Sequence, residues 1–303
     1  MERTTTERLR IAVASLVVGS LTMATGGVVT AAGASPTPPG SWPYANGNLA
    51  NTRVAIGSSI TLANVKNLKP AWTYTLKGNA ATNVGGYGTL ATNPIVVNGV
   101  VYLQDLHCNV YALSLATGKL IWKYVVNRKE LSGPGPNGVA VVDGTVYGLT
   151  PTTAFALNAA TGREVWSNDH LLKKGKGTGE GTFGIQPQVA DGRVYLASQY
   201  GEVPGGGRLF ALNAATGAEL WSFETVPGKD KGVETLGLGA GGAWDTPLVG
   251  TDGSVTYGIG NPYQFVQSAF SEPGKVLYTD SDVNLDAATG KLRWYYQAVP
   301  NDF

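Results

Sequence analysis

Cysteine, charge and long apolar segments are all scarce in this sequence. The single cysteine, Cys108, excludes an internal disulfide. One cysteine beside one histidine, His107, does not make a metal site, so we expect both residues to be structural. Charged residues make up only 14% of the chain and the formal net charge is +1. Without a run of Lys or Arg, the sequence lacks the footprint of a nucleic-acid-binding protein.

The motifs of several enzyme classes are missing as well. There is no G-x-S-x-G motif of a serine hydrolase, and no Walker or dinucleotide fingerprint follows a strand and opens a helix. Helical periodicity is absent, except that residues 62–68 could form a turn or two. These absences favour an all-β protein without nucleotide chemistry.

The first 34 residues have the pattern of a signal peptide. Basic residues precede an apolar segment at 11–29, and Ala32-Gly33-Ala34 is a small-x-small cleavage site. The alternative is an uncleaved anchor, but Ser, Thr and Gly interrupt the segment, and a span needs about 20 strongly apolar residues. No later stretch is apolar and long enough to span a bilayer. We therefore predict an exported protein, periplasmic or extracellular, with signal peptide 1–34 and one domain at 35–303.

What the sequence has in abundance is glycine and aromatic residues, arranged in a repeat. Four segments begin with an aromatic or branched residue, pass through Ala-Thr-Gly and close on tryptophan; they lie at 111–122, 155–166, 210–221 and 283–294. A degenerate fifth copy ends at Trp72. Each of the four follows a hairpin centred on Asn-Gly or Asp-Gly, and these dipeptides favour two-residue primed turns. Two hairpins give four strands, which make one blade of a β-propeller.

The blades differ in length. Intervals of 44, 55 and 73 residues separate the closing tryptophans from Trp122 to Trp294, whereas a bare blade needs about 40–50 residues. The excess lies in insertions at 201–208 and 261–280. Because propellers carry function in loops around their central channel, we predict a site within 199–208 and 244–280.

Several segments resemble the PQQ (pyrroloquinoline quinone)-dependent, or quinoprotein, alcohol dehydrogenase family. They are the opening WPYANGNLANTR, the LNAATG closing strands, ETVPG, GGAWDTP at 241–247 and GIGNPYQF at 258–265. The resemblance implies an eight-bladed propeller that holds PQQ and a Ca²⁺ or lanthanide ion in its channel. At about 40–50 residues per blade the mature chain makes about five blades. We therefore expect an incomplete propeller, the N-terminal portion of such a protein.

The resemblance also implies site residues. Trp244 matches the tryptophan on which the flat quinone stacks; the alternative, one more core tryptophan, is disfavoured because Trp244 stands outside the closing-strand repeat. Asn261 matches an amide-oxygen ligand of the metal, with a plain Asn-Pro turn as the alternative. Gln199 stands where the family carries a metal-binding Glu. A glutamine offers one carbonyl oxygen and no charge, so we expect weaker Ca²⁺ binding.

Other positions depart from the family pattern. Asn137 replaces an arginine that would pair with a cofactor carboxylate, and Ala91 replaces an acid. The family's general base would follow Phe303, and Asp302 matches the acid before it. We therefore expect no alcohol oxidation by this chain alone. The alternative function is a noncatalytic exported propeller that binds a protein partner as a scaffold. No C-x-x-C-H haem motif is present, so an active form would need an external electron acceptor.

Overall fold

The computed structural model describes most of the predicted domain. The described residues are 40–49, 52–55, 57–78, 88–126, 136–172, 174–175, 178–179, 181–199, 205–226, 239–261 and 277–300. The predicted signal peptide at 1–34, half of the predicted insertion at 201–208, most of that at 261–280, Asp302 and Phe303 lie outside them. Among the described residues, no helix is long and apolar enough to cross a membrane.

Antiparallel strands form nearly all of the secondary structure, as predicted. The first sheet has the order β1 (Ile95–Val97), β2 (Val100–Gln104), β3 (Val110–Ser114), β4 (Leu120–Tyr124). The second has the order β5 (Ala140–Val142), β6 (Thr145–Leu149), β7 (Ala154–Asn158), β8 (Glu164–Asn168). A two-stranded ribbon of β9 (Lys174–Gly175) and β10 (Thr178–Gly179) follows. The 3-10 turn Val65–Asn67 falls within the predicted helical stretch.

The third and fourth sheets carry the longer blades. The third contains β11 (Thr182–Phe183), β12 (Gln188–Ala190), β13 (Arg193–Gln199), β15 (Arg208–Asn213) and β16 (Glu219–Glu224). Between its strands, β14 (Gly205–Gly206) pairs in parallel with β17 (Gly239–Ala240). The fourth has the order β18 (Leu248–Val249), β19 (Ser254–Ile259), β20 (Ser281–Asp286), β21 (Leu292–Gln297). The short β11 makes the third sheet five-stranded, one strand more than predicted.

The first strands of the four sheets lie side by side. β1 contacts β5, β5 contacts β12, and β12 contacts β18. Apolar side chains fill the spaces between neighbouring sheets; one such layer is centred on the buried residues Val146, Phe155 and Leu157. The inner edge of these blades is therefore a row of short strands.

The predicted primed turns occur in three of the four first hairpins. Asn98, Asp143 and Asp191 each have positive φ before a glycine that also has positive φ. The prediction is wrong for the fourth hairpin, in which only Gly253 is left-handed. There the Asp252 carboxylate accepts hydrogen bonds from the Ser254 backbone N–H and hydroxyl, at 3.1 and 2.6 Å. These two side-chain hydrogen bonds stabilise a longer loop in place of the two-residue primed turn.

Three of the four closing tryptophans dock on the Ala-Thr-Gly turn of the next sheet. The indole N–H groups of Trp122, Trp166 and Trp221 donate to the carbonyls of Ala159, Ala214 and Ala287, at 2.8, 2.9 and 3.1 Å. In each case the acceptor lies three residues before the turn glycine. The glycine has positive φ, and a Cβ on it would lie 2.4–2.6 Å from the ring. Only glycine therefore fits both the turn and the tryptophan above it.

The degenerate fifth copy makes the same contact without strands. Trp72 donates to the Leu115 carbonyl at 2.7 Å, and a Cβ on Gly118 would lie 2.5 Å from its ring. Tyr74 packs edge-on against Tyr111, with ring centroids 5.9 Å apart. No strand is assigned within 57–78. The described residues thus contain four complete blades and a fifth closing segment reduced to its docking contacts.

Candidate functional site

Three hydrogen-bonded backbone segments bring the predicted site residues together. Ala243 donates to the Ser198 carbonyl at 3.4 Å and forms a bridge with Ile259. Gly260 donates to the Gly242 carbonyl at 2.8 Å. The backbones of Gln199, Trp244 and Asn261 each follow one of these linked positions by one or two residues. The Gln199 side chain lies outside what the structure describes, so only its backbone is placed.

Trp244 has surroundings unlike those of the docking tryptophans. It is half-buried, and a Cβ on Gly260 would lie 3.1 Å from its indole nitrogen. The Ala-Thr-Gly turns of the four described sheets all face other tryptophans. Asn261 is half-buried too, and its carbonyl accepts from the Gly241 N–H at 3.3 Å. Trp244 is therefore placed by the bare backbone of Gly260, beside the segment that carries Asn261.

Gly207 approaches Gly241 closely and so helps to position the GGAW segment that carries Trp244. This contact was not predicted from the sequence. A Cβ on Gly207 would lie 2.2 Å from the Gly241 carbonyl oxygen. The Thr225 N–H and hydroxyl both donate to the Gly207 carbonyl, at 2.9 and 2.8 Å. Gly241 has φ +66, and its Cβ position lies 2.7 Å from the Thr225 hydroxyl oxygen. These contacts join the third sheet to the GGAW segment, and no local pattern signals them.

A second polar cluster lies where the inner strands begin. The Gln186 side chain is 1% exposed, and its amide nitrogen donates to the Val139 carbonyl at 2.7 Å and the Asn93 carbonyl at 3.5 Å. Asn93 N–H donates to the Asn137 carbonyl at 3.2 Å. A Cβ on Gly138 would lie 2.7 Å from the Thr92 hydroxyl. One glutamine thus joins the entry ends of three sheets, and Asn137 belongs to this cluster through its backbone.

Buried polar atoms without a partner mark the same region. The Gln186 amide oxygen, the Thr92 hydroxyl and the Gln188 amide nitrogen have no hydrogen-bond partner among the described residues. Buried polar groups are normally paired, so these three atoms keep unused hydrogen-bonding capacity. Ala91, by contrast, is exposed.

The charged groups of the site do not form an acidic cluster in the part of the chain that the structure describes. Across the described ranges, no three His, Cys, Asp or Glu side chains converge as a metal site would require. Arg208 donates to the Leu171 carbonyl at 3.3 Å and the Ser222 hydroxyl at 2.6 Å, over the Phe210 ring. The half-buried Trp244 ring offers a surface on which a flat ligand can stack. A cluster of acidic ligands for a hard cation is not among these residues.

The loop around Cys108 makes hydrogen bonds within the first sheet, as expected for a structural role. Cys108 is buried, has φ +65 and donates its N–H to the Asp105 carbonyl at 2.8 Å. The buried Asp105 carboxylate accepts from Asn109 and from the Tyr111 hydroxyl, the latter at 2.8 Å. Burial, together with this hydrogen bond, raises the pKa of Tyr111. The loop thus forms a corner of the first sheet, and hydrogen bonds to Asp105 hold it together.

Comparisons with known proteins agree with this architecture. Residues 110–301 match the family model described as outer membrane protein assembly factor BamB. Residues 42–140 match the β-propeller domain of glucose/ethanol/alcohol dehydrogenases. The chain belongs to the family of PQQ-dependent alcohol dehydrogenase-like β-propellers.

Individual relatives are quinoprotein alcohol dehydrogenases. The quinohemoprotein alcohol dehydrogenase of Comamonas testosteroni is 32% identical over 89% of this chain and 40% of the relative. Alcohol dehydrogenase ADH-IIG of Pseudomonas putida is 31% identical over 87% of this chain and 39% of the relative. The solved Pseudomonas putida structure superposes with a TM-score of 0.74 at 28% identity, covering 87% of this chain and 41% of that one. The chain thus spans about two fifths of the length of these relatives.

Proposed function

We propose that residues 35–303 are a quinone-binding portion of an exported PQQ-dependent alcohol dehydrogenase-type protein. Trp244 offers the flat surface on which the quinone stacks, and Asn261 and Gln199 offer amide oxygens to a metal ion. Bound PQQ would supply the group that accepts hydride from an alcohol. One observation supports this proposal most: hydrogen-bonded neighbouring segments carry Trp244, Asn261 and Gln199.

We further propose that this chain, tested alone, binds the quinone without oxidising alcohols. Gln199 has no charge with which to hold Ca²⁺, and a hard cation needs several oxygen ligands. Asn137, at the position of the family's arginine, brings no positive charge to a cofactor carboxylate. Binding therefore rests on stacking and on neutral donors such as those around Gln186.

A fluorescence titration tests the binding proposal. PQQ added to the full chain in the presence of Ca²⁺ should quench tryptophan emission saturably. Trp244→Ala should weaken binding about 5- to 150-fold, since stacking of a flat ring contributes about 1–3 kcal/mol. Trp294→Ala is the matched control, because Trp294 is 50% exposed and lies in the outer strand β21. Absence of saturable quenching in the unaltered chain would contradict quinone binding and favour a scaffold function.

Two assays test the proposed loss of activity. Dye reduction with primary alcohols, PQQ and Ca²⁺ should show no turnover, and turnover would refute the proposal. Gln199→Glu should lower the Kd for Ca²⁺ at least about tenfold, because it restores a charged oxygen ligand. Gln297→Glu, on the outer strand β21, is the control and should leave the Kd for Ca²⁺ unchanged.

Export remains a prediction from residues 1–34. Secreted protein should begin at Ser35 if cleavage follows Ala34. Intact-mass measurement of the exported protein checks this, and a mass that retains residues 1–34 would contradict it.

A further inference from the structure

Thr225 directly follows β16, the last strand of the third sheet, and is fully buried. Its backbone N–H and its hydroxyl both donate to the Gly207 carbonyl, at 2.9 and 2.8 Å. Its own carbonyl accepts a hydrogen bond from the Tyr278 N–H. Thr225 therefore joins two segments that are distant in the chain, one that leads into β15 and one that leads into β20.

The Gly207 segment leads to Trp244. Gly207 lies so close to Gly241 that a Cβ on Gly207 would meet the Gly241 carbonyl. A Cβ on Gly241 would in turn lie 2.7 Å from the Thr225 hydroxyl oxygen. Both positions therefore need glycine, because the backbones approach each other directly. Since Trp244 follows Gly241 by three residues, Gly207 and the Thr225 hydroxyl together set the position of the segment that carries it.

The Tyr278 segment leads to Asn261. Two residues after Tyr278, the Asp280 N–H donates to the Gly260 carbonyl at 3.1 Å, and Gly260 directly precedes Asn261. The Gly260 N–H donates to the Gly242 carbonyl at 2.8 Å, which returns to the GGAW segment. The contacts thus form a closed circuit that begins and ends at the residue after β16. We call it the Thr225 circuit.

We infer that the Thr225 hydroxyl is a positioning group that fixes Trp244 relative to Asn261. All the other hydrogen bonds of the Thr225 circuit named above join two backbone groups, so this hydroxyl is the side-chain group that firms the circuit. The quinone and its metal ion are the ligands that the proposed function assigns to Trp244 and Asn261. For the identity of the ligand the inference rests on that proposed function, whereas the positioning rests on the circuit itself.

Removing the hydroxyl alone tests the inference. Thr225→Val keeps the branched shape of the side chain, and the backbone N–H still donates to the Gly207 carbonyl, so we expect the variant to fold. The Kd of its folded fraction for PQQ, measured by tryptophan quenching in the presence of Ca²⁺, should rise about 2- to 12-fold, the effect of one hydrogen bond. Thr225→Ser keeps the hydroxyl and should keep the Kd of the unaltered chain.

Thr256→Val is the matched control. The Thr256 hydroxyl also makes one hydrogen bond, accepted from the Asn284 amide at 2.9 Å, and it lies in β19, outside the Thr225 circuit. This variant should lose stability to a similar extent while its Kd for PQQ stays unchanged. If Thr225→Val loses stability but keeps its Kd, as the control does, the role of the hydroxyl is structural and the inference is overturned. A Kd that rises equally in Thr225→Ser and Thr225→Val would overturn it as well.

Hydrogen exchange without PQQ separates this inference from the proposed function. In Thr225→Val, the N–H groups of Gly241 and Gly260 should exchange about 2- to 12-fold faster than in the unaltered chain, because their segments are held less firmly. The Gly162 N–H, which donates to the Asn158 carbonyl in the second sheet at 2.8 Å, should keep its rate. Unchanged exchange at Gly241 and Gly260 would overturn the inference, whether or not the unaltered chain binds PQQ. Faster exchange in a chain without saturable quenching would contradict quinone binding and support the positioning.

Discussion

The docking tryptophans and Trp244 are the same kind of side chain in two different regions. Trp122, at a junction between sheets, lies on a turn glycine and donates to a turn carbonyl. Trp244, beside the entry ends of the inner strands, lies against Gly260, and the Ala-Thr-Gly turns of the four described sheets face other tryptophans. A junction tryptophan is thus fixed by the repeat that recurs along the chain. Trp244 stands outside that repeat, which is why we propose for it a role in ligand binding and not in blade packing.

The largest effect is expected at a junction glycine. Gly162→Ala should lower the free energy of unfolding by about 3 kcal/mol or more, because a Cβ would meet the Trp122 ring in a packed interface. Gly144→Ala is the matched control, with φ +73 against +69 at Gly162 but no atom within 4 Å of its Cβ position. Gly144→Ala should lower the free energy of unfolding by only about 1–2 kcal/mol, because it adds left-handed backbone strain and no clash. Equal losses in denaturant titrations would mean that tryptophan docking does not govern the junction.

A smaller effect is expected at the entry ends of the inner strands. Gln186→Leu keeps the volume but removes the donor to the Val139 and Asn93 carbonyls, and should cost about 1–3 kcal/mol. Gln188→Leu provides the comparison, since Gln188 is equally buried at 1% exposure and its amide nitrogen has no described partner. The same denaturant titration measures both. If Gln188→Leu lowers the free energy of unfolding as much as Gln186→Leu does, the hydrogen bonds by which Gln186 joins three sheets do not contribute specifically to stability.

The smallest effect is expected at the two outer strands of the fourth sheet, β20 and β21. Hydrogen bonds from Arg293 and Thr289 hold the pKa of Asp286 at about 2. The carboxyl pKa in the unfolded chain is about 3.9, so this stabilisation is present above about pH 4 and is lost as the pH falls toward 2. Asp286→Asn removes the charge but keeps the oxygen that accepts from the Thr289 N–H.

Thermal unfolding at several pH values measures this effect. The Tm of the Asp286→Asn variant should be about 1–3 °C lower than that of the unaltered chain near pH 6, as for an exposed ion pair. The difference should disappear near pH 2. The hydrogen bond from the Ser254 hydroxyl, and to a smaller extent the nearby Arg293 guanidinium, lower the pKa of Asp252, so Asp252→Asn should give a similar but separate loss. A Tm difference that grows toward low pH would contradict the assignment.

The sequence predicted the blades because their signals are local. Asn98-Gly99 and its two counterparts fix primed turns within two residues, and the alternating apolar residues fix which faces are buried. The fourth turn departs from the prediction because the Asp252 side chain competes for the Ser254 N–H. The docking contacts were not predicted, since they join residues 37 to 66 positions apart in the chain.

The site could be predicted only in part. Trp244 and Asn261 were singled out by their position outside the repeat and by resemblance, and backbone hydrogen bonds link the segments that carry them. Their roles stay predictions. The Gln186 cluster had no signal in the sequence, because its acceptors belong to two other sheets. The contact of Gly207 with Gly241 was hidden for the same reason.

One paired measurement tests the division between the two kinds of tryptophan most directly. The free energy of unfolding and the Kd for PQQ should be measured for Trp244→Ala and Trp166→Ala side by side. We expect Trp166→Ala to lose about 3–5 kcal/mol of stability while its folded fraction keeps the affinity. Trp244→Ala should lose at least about fivefold in affinity with the smaller loss of stability. Unchanged PQQ affinity in the Trp244→Ala variant would contradict the account.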